Sequence, residues 1–312
     1  MRDLIINADD FGMSAEVNEG VKRAVELGVL NNVSLMVNLP NFAEAVGFLR
    51  EHPEVSVGLH FNITEGKSVL PPNEVSSLLR EDDSFYHWTS LIPRLIFRDS
   101  RTLEIIKELW AQYQKLKETG LEITHVDSHH HMHLYPPVFK ALTQLADKEA
   151  IKSLRCHHFN LWDLTAGIGK PPTFKQLVIN LGLWVNNRLY NHKHLGEVDR
   201  IYDLNWDENM TEEELIQILD HLPEGVTELI CHLGILSTTG NRKFLEPRLR
   251  KLEILSKPRV RDRILNNGIH LVQRNGRKSE SLIKLNLGAE SVPVVVPTHS
   301  NGNSGRIDQE NG

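Results

Sequence analysis

Cysteine is nearly absent: the chain of 312 residues holds two, Cys156 and Cys231. Two thiols cannot build the disulfide framework of a small secreted domain, so nothing in the composition points to an oxidising compartment. Long apolar runs are missing as well. No stretch approaches the roughly 18 consecutive apolar residues of a membrane span, and Met1 to Ile6 give way to polar Asn7 before a signal-peptide core can form. These absences predict a cytoplasmic chain with no membrane span. A basic excess is also lacking. Lys and Arg number 35 against 41 Asp and Glu, a formal net charge of −6. That disfavours nucleic acid and anionic membrane as partners, because both call for a basic stripe.

What is present points elsewhere. With 40% hydrophobic and 24% charged residues the chain can bury a sizeable core. Histidine is abundant, with 16 in all and five between positions 125 and 133.

Short apolar β-type runs alternate with amphipathic helical runs. Leu4–Ile6 reads as a strand, followed by a helix with Ser14 as N-cap and Val17, Val21, Ala24 and Val25 on one face, closed by Gly28. Further strands are expected at Val33–Val37, Val55–Leu59, Ile123–Val126, Leu154–Cys156, Ile201–Leu204, Thr227–Cys231 and Ile269–Val272. Helices are expected near 101–119, 136–147, 174–190 and 257–266, with a further one opening at Thr211 in a capping box with Glu214. Seven or eight such units predict an α/β fold, a distorted (β/α) TIM-like barrel, in preference to an open doubly wound sheet. Residues 1–286 read as a single domain, with an insertion at 64–100 over the site and a disordered tail at 287–312.

The polar residues fall at informative places. Asp9-Asp10, His60, the run Asp127 to His133, and His232 each follow an apolar β run. In a parallel α/β protein those positions share one rim, where barrel active sites form. Taken singly, each piece has a bland explanation: paired aspartates cap helices, and lone histidines are often hydrogen-bonded core residues. Four histidines in five positions at a strand end are harder to explain by packing, since each adds a polar group to a buried edge. Not all four can be ligands, because along an extended segment His129 and His131 face one way and His130 the other. A divalent ion bound by Asp, His and His keeps positions open for a water and a substrate carbonyl. A second aspartate beside the first could then act as base and a histidine opposite as acid. That pattern suits hydrolysis of an amide or ester.

Three segments carry a resemblance: Asn7-Ala8-Asp9-Asp10-Phe11-Gly12-Met13-Ser14, Gly58-Leu59-His60-Phe61-Asn62-Ile63-Thr64-Glu65-Gly66, and Thr124-His125-Val126-Asp127-Ser128-His129-His130-His131-Met132-His133. In identity, order and spacing they resemble the YdjC-like carbohydrate deacetylases, which include bacterial chitooligosaccharide deacetylases. The resemblance implies removal of an acetyl group from an N-acetylated sugar with a divalent cation. It puts the metal ligands on Asp10, His60 and His129 and the base on Asp9. The family's late His-Pro-Gly motif falls on His232-Leu233-Gly234, making His232 the candidate acid; Leu233 departs from the usual proline. Magnesium is the family's usual ion, while the ligand types equally allow zinc, manganese or cobalt. Candidates for holding the sugar are Asn62, Thr64, Glu65, Asp127, His131 and Trp88, with Phe85 and Tyr86 beside Trp88. Asn62, Thr64 and Glu65 equally suit a role in holding the loop. The resemblance also allows a homodimer, although no heptad or exposed apolar stripe marks an interface. Two other readings compete: a metal-dependent phosphoesterase, against which the motif clusters hold no Lys or Arg, and a non-catalytic carbohydrate-binding relative, which would not require a base beside the ligand.

Overall fold

The computed structural model describes residues 1–95, 99–151, 153–155, 174–189, 198–204 and 210–274. Cys156, part of the expected insertion at 96–98, and the expected tail at 287–312 lie outside the described residues.

Among the described residues eight strands run β1 (Arg2–Phe11), β2 (Asn32–Leu35), β3 (Ser56–Phe61), β4 (Ile123–Ser128), β5 (Ser153–Leu154), β6 (Arg200–Asp203), β7 (Gly225–Cys231) and β8 (Ile269–Leu271). They form one sheet in the order β5-β4-β3-β2-β1-β7-β6, with β8 also on β1. Every pairing is parallel. Parallel neighbours need crossover connections, and helices supply them. These are α1 (Ala15–Glu26), α2 (Phe42–Glu51), α3 (Trp88–Leu95), α4 (Asp99–Lys117), α5 (Pro136–Lys148), α6 (Phe174–Leu189), α7 (Glu212–Asp220), α8 (Arg242–Leu255) and α9 (Pro258–Asn266). The result is the distorted barrel that the strand-helix rhythm predicts, a curled parallel sheet clad in helices.

Local chemistry explains the elements. Val17 N–H donates to the Ser14 Oγ at 3.3 Å to cap α1, and Gly28, at φ 70, follows the end of that helix. Thr211 and Glu214 form the reciprocal capping box of α7. Leu4, Ile6 and Ala8 of β1 belong to the same buried core as Val17, Val21 and Ala24 of α1. Apolar periodicity leads directly from the strand ending at Cys231 to the helix near 257 and misses α8. That helix carries Pro247 and no side-chain cap, and it buries Arg248 and Lys251, so its apolar period is broken.

A second set of strand residues is polar and still buried: Asn7, Asn32, Ser34, Ser56, His125, Asp127, Ser153 and Glu228. Their hydrogen bonds link strand to strand. Asn7 Nδ2 donates to Ser34 Oγ at 2.9 Å, Ser34 Oγ donates to Asp127 Oδ2 at 2.6 Å, and Ser56 and Thr124 share a bond of 2.6 Å. The sheet thus presents apolar residues to the helices and hydrogen-bonded polar residues on its other face, with Asn7 Oδ1 left without a partner.

Candidate metal centre

The sharpest local feature is in β1. Ala8 pairs with Val33 and Phe11 with Leu35, so three steps on β1 oppose two on β2. This is a β-bulge, which lets a strand re-aim a side chain. Asp10 absorbs the extra residue at φ 66, a left-handed conformation that aspartate tolerates better than most residues. Consecutive aspartates, which would otherwise face opposite sides of the sheet, therefore approach the same histidines.

Asp10 Oδ1 lies 2.9 Å from His129 Nδ1 and 3.4 Å from His60 Nε2. It is buried and accepts no directed hydrogen bond. Asp10, His60 and His129 offer donor atoms all within 4.8 Å of one another, as a bound ion would require. Asp10 Oδ2 is taken by Arg248, which donates from Nη2 at 2.6 Å, so one oxygen is held and the other left free. His60 is oriented from behind: its Nδ1 is 2.6 Å from Asp127 Oδ1, the carboxylate–histidine pairing that fixes a ligand's tautomer. Burial would push the His60 imidazole down, but Asp9, Asp127 and Asp10 outweigh it and raise its pKa to about 10. The three carboxylates that cause this shift make the position one that draws positive charge.

The histidine run does not continue β4 as an extended segment. His129–Leu134 is a short turn in which His130 and His131 are left-handed, at φ 52 and 55. Such conformations cost about 1–3 kcal/mol each and persist where surroundings impose them. The surroundings here are specific. Ser128 Oγ binds both the backbone N–H and the Nδ1 of His133, at 2.7 Å each, and Asn186 of α6 donates to the carbonyls of His133 and Leu134. As a result His129 faces Asp10 while His131 Nε2 lies 3.5 Å from Asp203 Oδ2.

Asp9 meets Arg155, just past β5. Arg155 Nη1 donates to Asp9 Oδ2 and Nη2 to Asp9 Oδ1, both at 2.7 Å. Arg155 Nη2 also lies 2.8 Å from Asp127 Oδ2 and 3.0 Å from Glu228 Oε1. The other oxygen of Glu228 is held by Arg274. Burial raises the Asp9 pKa, yet Arg155 and His60 overcome it and keep the carboxyl well below the usual range. Burial likewise opposes ionisation of Asp10, and His129, His232 and Arg248 reverse it. The motif clusters contain no arginine, but the fold brings Arg155 and Arg248 to their carboxylates, and Arg274 to Glu228 behind them. Arg155, Arg248, Arg274 and Glu228 escaped sequence reasoning because none sits in a motif.

His232 follows β7. Its Nε2 is 3.9 Å from Asp9 Oδ2 and 3.8 Å from Asp10 Oδ2. Its side chain is 27% exposed, whereas those of Asp9, Asp10, His60 and His129 are 7% exposed or less. The loop after it is clipped to α1: Ile235 N–H donates to the Glu16 carbonyl at 3.1 Å and Ser237 Oγ to Glu16 Oε1 at 2.7 Å.

The remaining candidates divide. Asn62 is spent on the loop, accepting from the Thr64 and Glu65 N–H groups and donating to Asn38 Oδ1 and the Glu65 carbonyl. Thr64 Oγ1 is 3.0 Å from His130 Nδ1. Glu65 is exposed. Asp127 has both oxygens engaged, by His60, Ser34 and Arg155. Trp88 is exposed, its ring 6.0 Å from that of His130. Phe85 is buried in the core and Tyr86 packs beneath Arg94.

Comparisons with known proteins place the chain in a family. The family model described as YdjC-like protein matches residues 3–266. A carbohydrate deacetylase of Geobacillus stearothermophilus is 29% identical over 276 residues, 87% of this chain and 96% of the relative. One from Thermoanaerobacter pseudethanolicus is 30% identical over 233 residues, 74% of this chain and 81% of the relative. A crystal structure from Enterococcus faecalis V583, described provisionally as a cellobiose-phosphate cleavage protein, superposes with a TM-score of 0.71 at 26% identity, covering 88% of this chain and 97% of that one.

Proposed function

Because the chain belongs to the YdjC-like protein family, we propose that it is a metal-dependent hydrolase that removes the acetyl group from an N-acetylated sugar or oligosaccharide. The carbohydrate deacetylase names of its relatives support the substrate class. The observation that carries the reading is the free, buried Asp10 Oδ1 facing His60 and His129, with Asp9 and His232 alongside. Asp10, His60 and His129 would hold one divalent ion; magnesium follows the family resemblance, and zinc, manganese or cobalt suit the same donors. Such an ion, when bound, supplies Lewis acidity to the acetyl carbonyl and lowers the pKa of a water.

The chain's own groups do the rest. Asp9, kept ionised by Arg155, takes the proton of the attacking water at Oδ2, near His60 and His232. Arg155 fixes that carboxylate at some cost in basicity. His232, the most accessible of the five, donates from Nε2 to the departing amine nitrogen. Asp127 holds His60 through Nδ1. Trp88, with Thr64, Glu65 and His131 near the turn, lines the approach for a sugar ring, while Asn62 keeps their loop in shape.

No helix among the described residues is long and apolar enough to cross a membrane. A cytoplasmic location stays part of this reading through the cysteine-poor composition, and a homodimer through the family resemblance. The deciding assay is acetate release from N-acetylglucosamine oligomers, before and after chelation and metal restoration, for the wild type and Asp9→Asn. Release is expected to stop on chelation, return with metal, and fall by at least about 10²-fold in Asp9→Asn. Release unaffected by either change would refute the mechanism.

A further inference from the structure

Among the described residues two groups of donors satisfy the spacing of a metal site: Asp10, His60 and His129, and a second made of Asp9, His60 and Asp127. They share His60, which faces Asp10 through Nε2 and Asp127 through Nδ1. Carboxylate-rich centres that hold two ions commonly serve phosphoester hydrolysis. In this chain the second group already has a cation on it. Arg155 forks onto both oxygens of Asp9 at 2.7 Å, and its Nη2 reaches Asp127 at 2.8 Å and Glu228 at 3.0 Å.

We propose that the Arg155 guanidinium takes the place of a second metal ion and limits the centre to one. This rests on the metal reading of Asp10, His60 and His129. Three physical facts support it. Guanidinium keeps its charge at every accessible pH, so protonation cannot clear the position. Its plane binds carboxylates bidentately, as a compact ammonium cannot. The position is closed to solvent: the side chains of Arg155, Asp9, Asp127 and Glu228 are 1%, 4%, 0% and 0% exposed. Arg274 pins Glu228 from the far side, so that carboxylate stays against Arg155. The two aspartates of the bulge are thereby assigned opposite tasks by two arginines. Arg248 leaves Asp10 one free oxygen for an ion, whereas Arg155 occupies both oxygens of Asp9 and keeps it out of the coordination sphere. One ion beside a fixed guanidinium suits hydrolysis of an acetamide rather than in-line transfer between two ions.

The test counts ions. Protein stripped of metal and refilled with Mn²⁺ is analysed by elemental mass spectrometry and titration calorimetry, with unfolding temperature measured in parallel. The wild type is expected to bind one Mn²⁺ per chain, and Arg155→Ala two, because Asp9, Asp127 and Glu228 would then face an emptied position. An Arg155→Ala chain that folds only in Mn²⁺ and carries two ions supports the proposal equally. Two ions in the wild type overturn it, as does a folded Arg155→Ala that binds one. If Arg155→Ala does not fold at all, the anomalous map of wild-type crystals in Mn²⁺ decides. A single peak at Asp10, His60 and His129 supports the proposal, and a second between Asp9 and Asp127 overturns it. One ion in both the wild type and Arg155→Ala defeats this inference alone, while no ion in the wild type defeats the metal reading with it.

Discussion

Gly20→Ala tests whether the position of His232 matters. Gly20 lies inside α1, where an exposed glycine replaced by alanine would ordinarily stabilise the helix by about 1 kcal/mol. Here a methyl group would sit 2.4 Å from both the Cα and the N of Gly234. Neither atom belongs to a flexible side chain, and ordinary contact begins near 3.4 Å. The loop must therefore retreat by about 1 Å, and overpacking of this kind costs roughly 1–3 kcal/mol. The net effect on stability is small to moderate, about 0–2 kcal/mol after the helix gain is subtracted. The effect on chemistry should be larger, because His232 stands two residues from Gly234 and an error of about 1 Å in a catalytic group can lower the rate about 10²-fold. The ligands Asp10, His60 and His129 sit on β1, β3 and the turn after β4, so Mn²⁺ affinity should not change. The assay pairs acetate-release kinetics with calorimetric Mn²⁺ titration. Turnover should slow by at least about tenfold while metal affinity stays constant. Activity within twofold of wild type, with unfolding temperature preserved, would refute the placement of His232 in the chemistry.

Asp127→Asn should weaken Mn²⁺ binding by about 10–100-fold, the usual effect of losing the partner that orients a ligating histidine. Its fold should survive because Arg155 retains Asp9 and Glu228, and calorimetry of the folded variant showing unchanged affinity would defeat the role given to Asp127. His125 is kept neutral by burial, reinforced by Arg274 and Arg155, with its pKa down at about 3. The unfolded chain takes up a proton near pH 6.5 that the folded chain refuses, so stability should fall as pH drops below 6.5, by about 1.4 kcal/mol per unit from this residue alone. Unfolding free energies measured between pH 5 and 7 should show a shallower slope in His125→Gln, and identical slopes would contradict the assignment. Cys231 is fully buried, its Sγ donating to the Asn7 carbonyl at 3.3 Å, and burial pushes its thiol well up. Mass spectrometry after iodoacetamide should find it unmodified in native protein and alkylated in denaturant; rapid native alkylation would contradict the packing.

Much of the architecture was legible because it is written locally. The apolar runs and caps announce β1, α1 and α7, and parallel strands put whatever follows them on one rim. Asp9-Asp10, His60 and the histidine run could thus be picked out before their distances were known, and within the run the family resemblance pointed to His129. The rest depends on pairing that no local pattern encodes. The bulge at Asp10 appears only when β1 is laid against β2. The turn that separates His129 from His130 and His131 needs Ser128, His133 and Asn186 together. Arg155 reaches Asp9 across 146 residues and Arg248 reaches Asp10 across 238. Each is a single charged residue in an unremarkable stretch, and its burial is intelligible only beside the carboxylate it neutralises.

The place of β1 in the sheet governs when the protein can be assembled. This strand is flanked on one edge by Gly225–Cys231 and, along Arg2–Leu4 of the other, by Ile269–Leu271. During synthesis Asp10, His60 and His129 leave the ribosome early, while His232, Arg248 and the strands that flank β1 leave late. Until then one whole edge of β1 presents unpaired backbone groups, the arrangement most prone to pairing with another chain. The contacts that complete the sheet span more than two hundred residues of sequence, so folding should be slow and largely post-translational. Chains shortened before β7 should accumulate as aggregates rather than as partly active fragments.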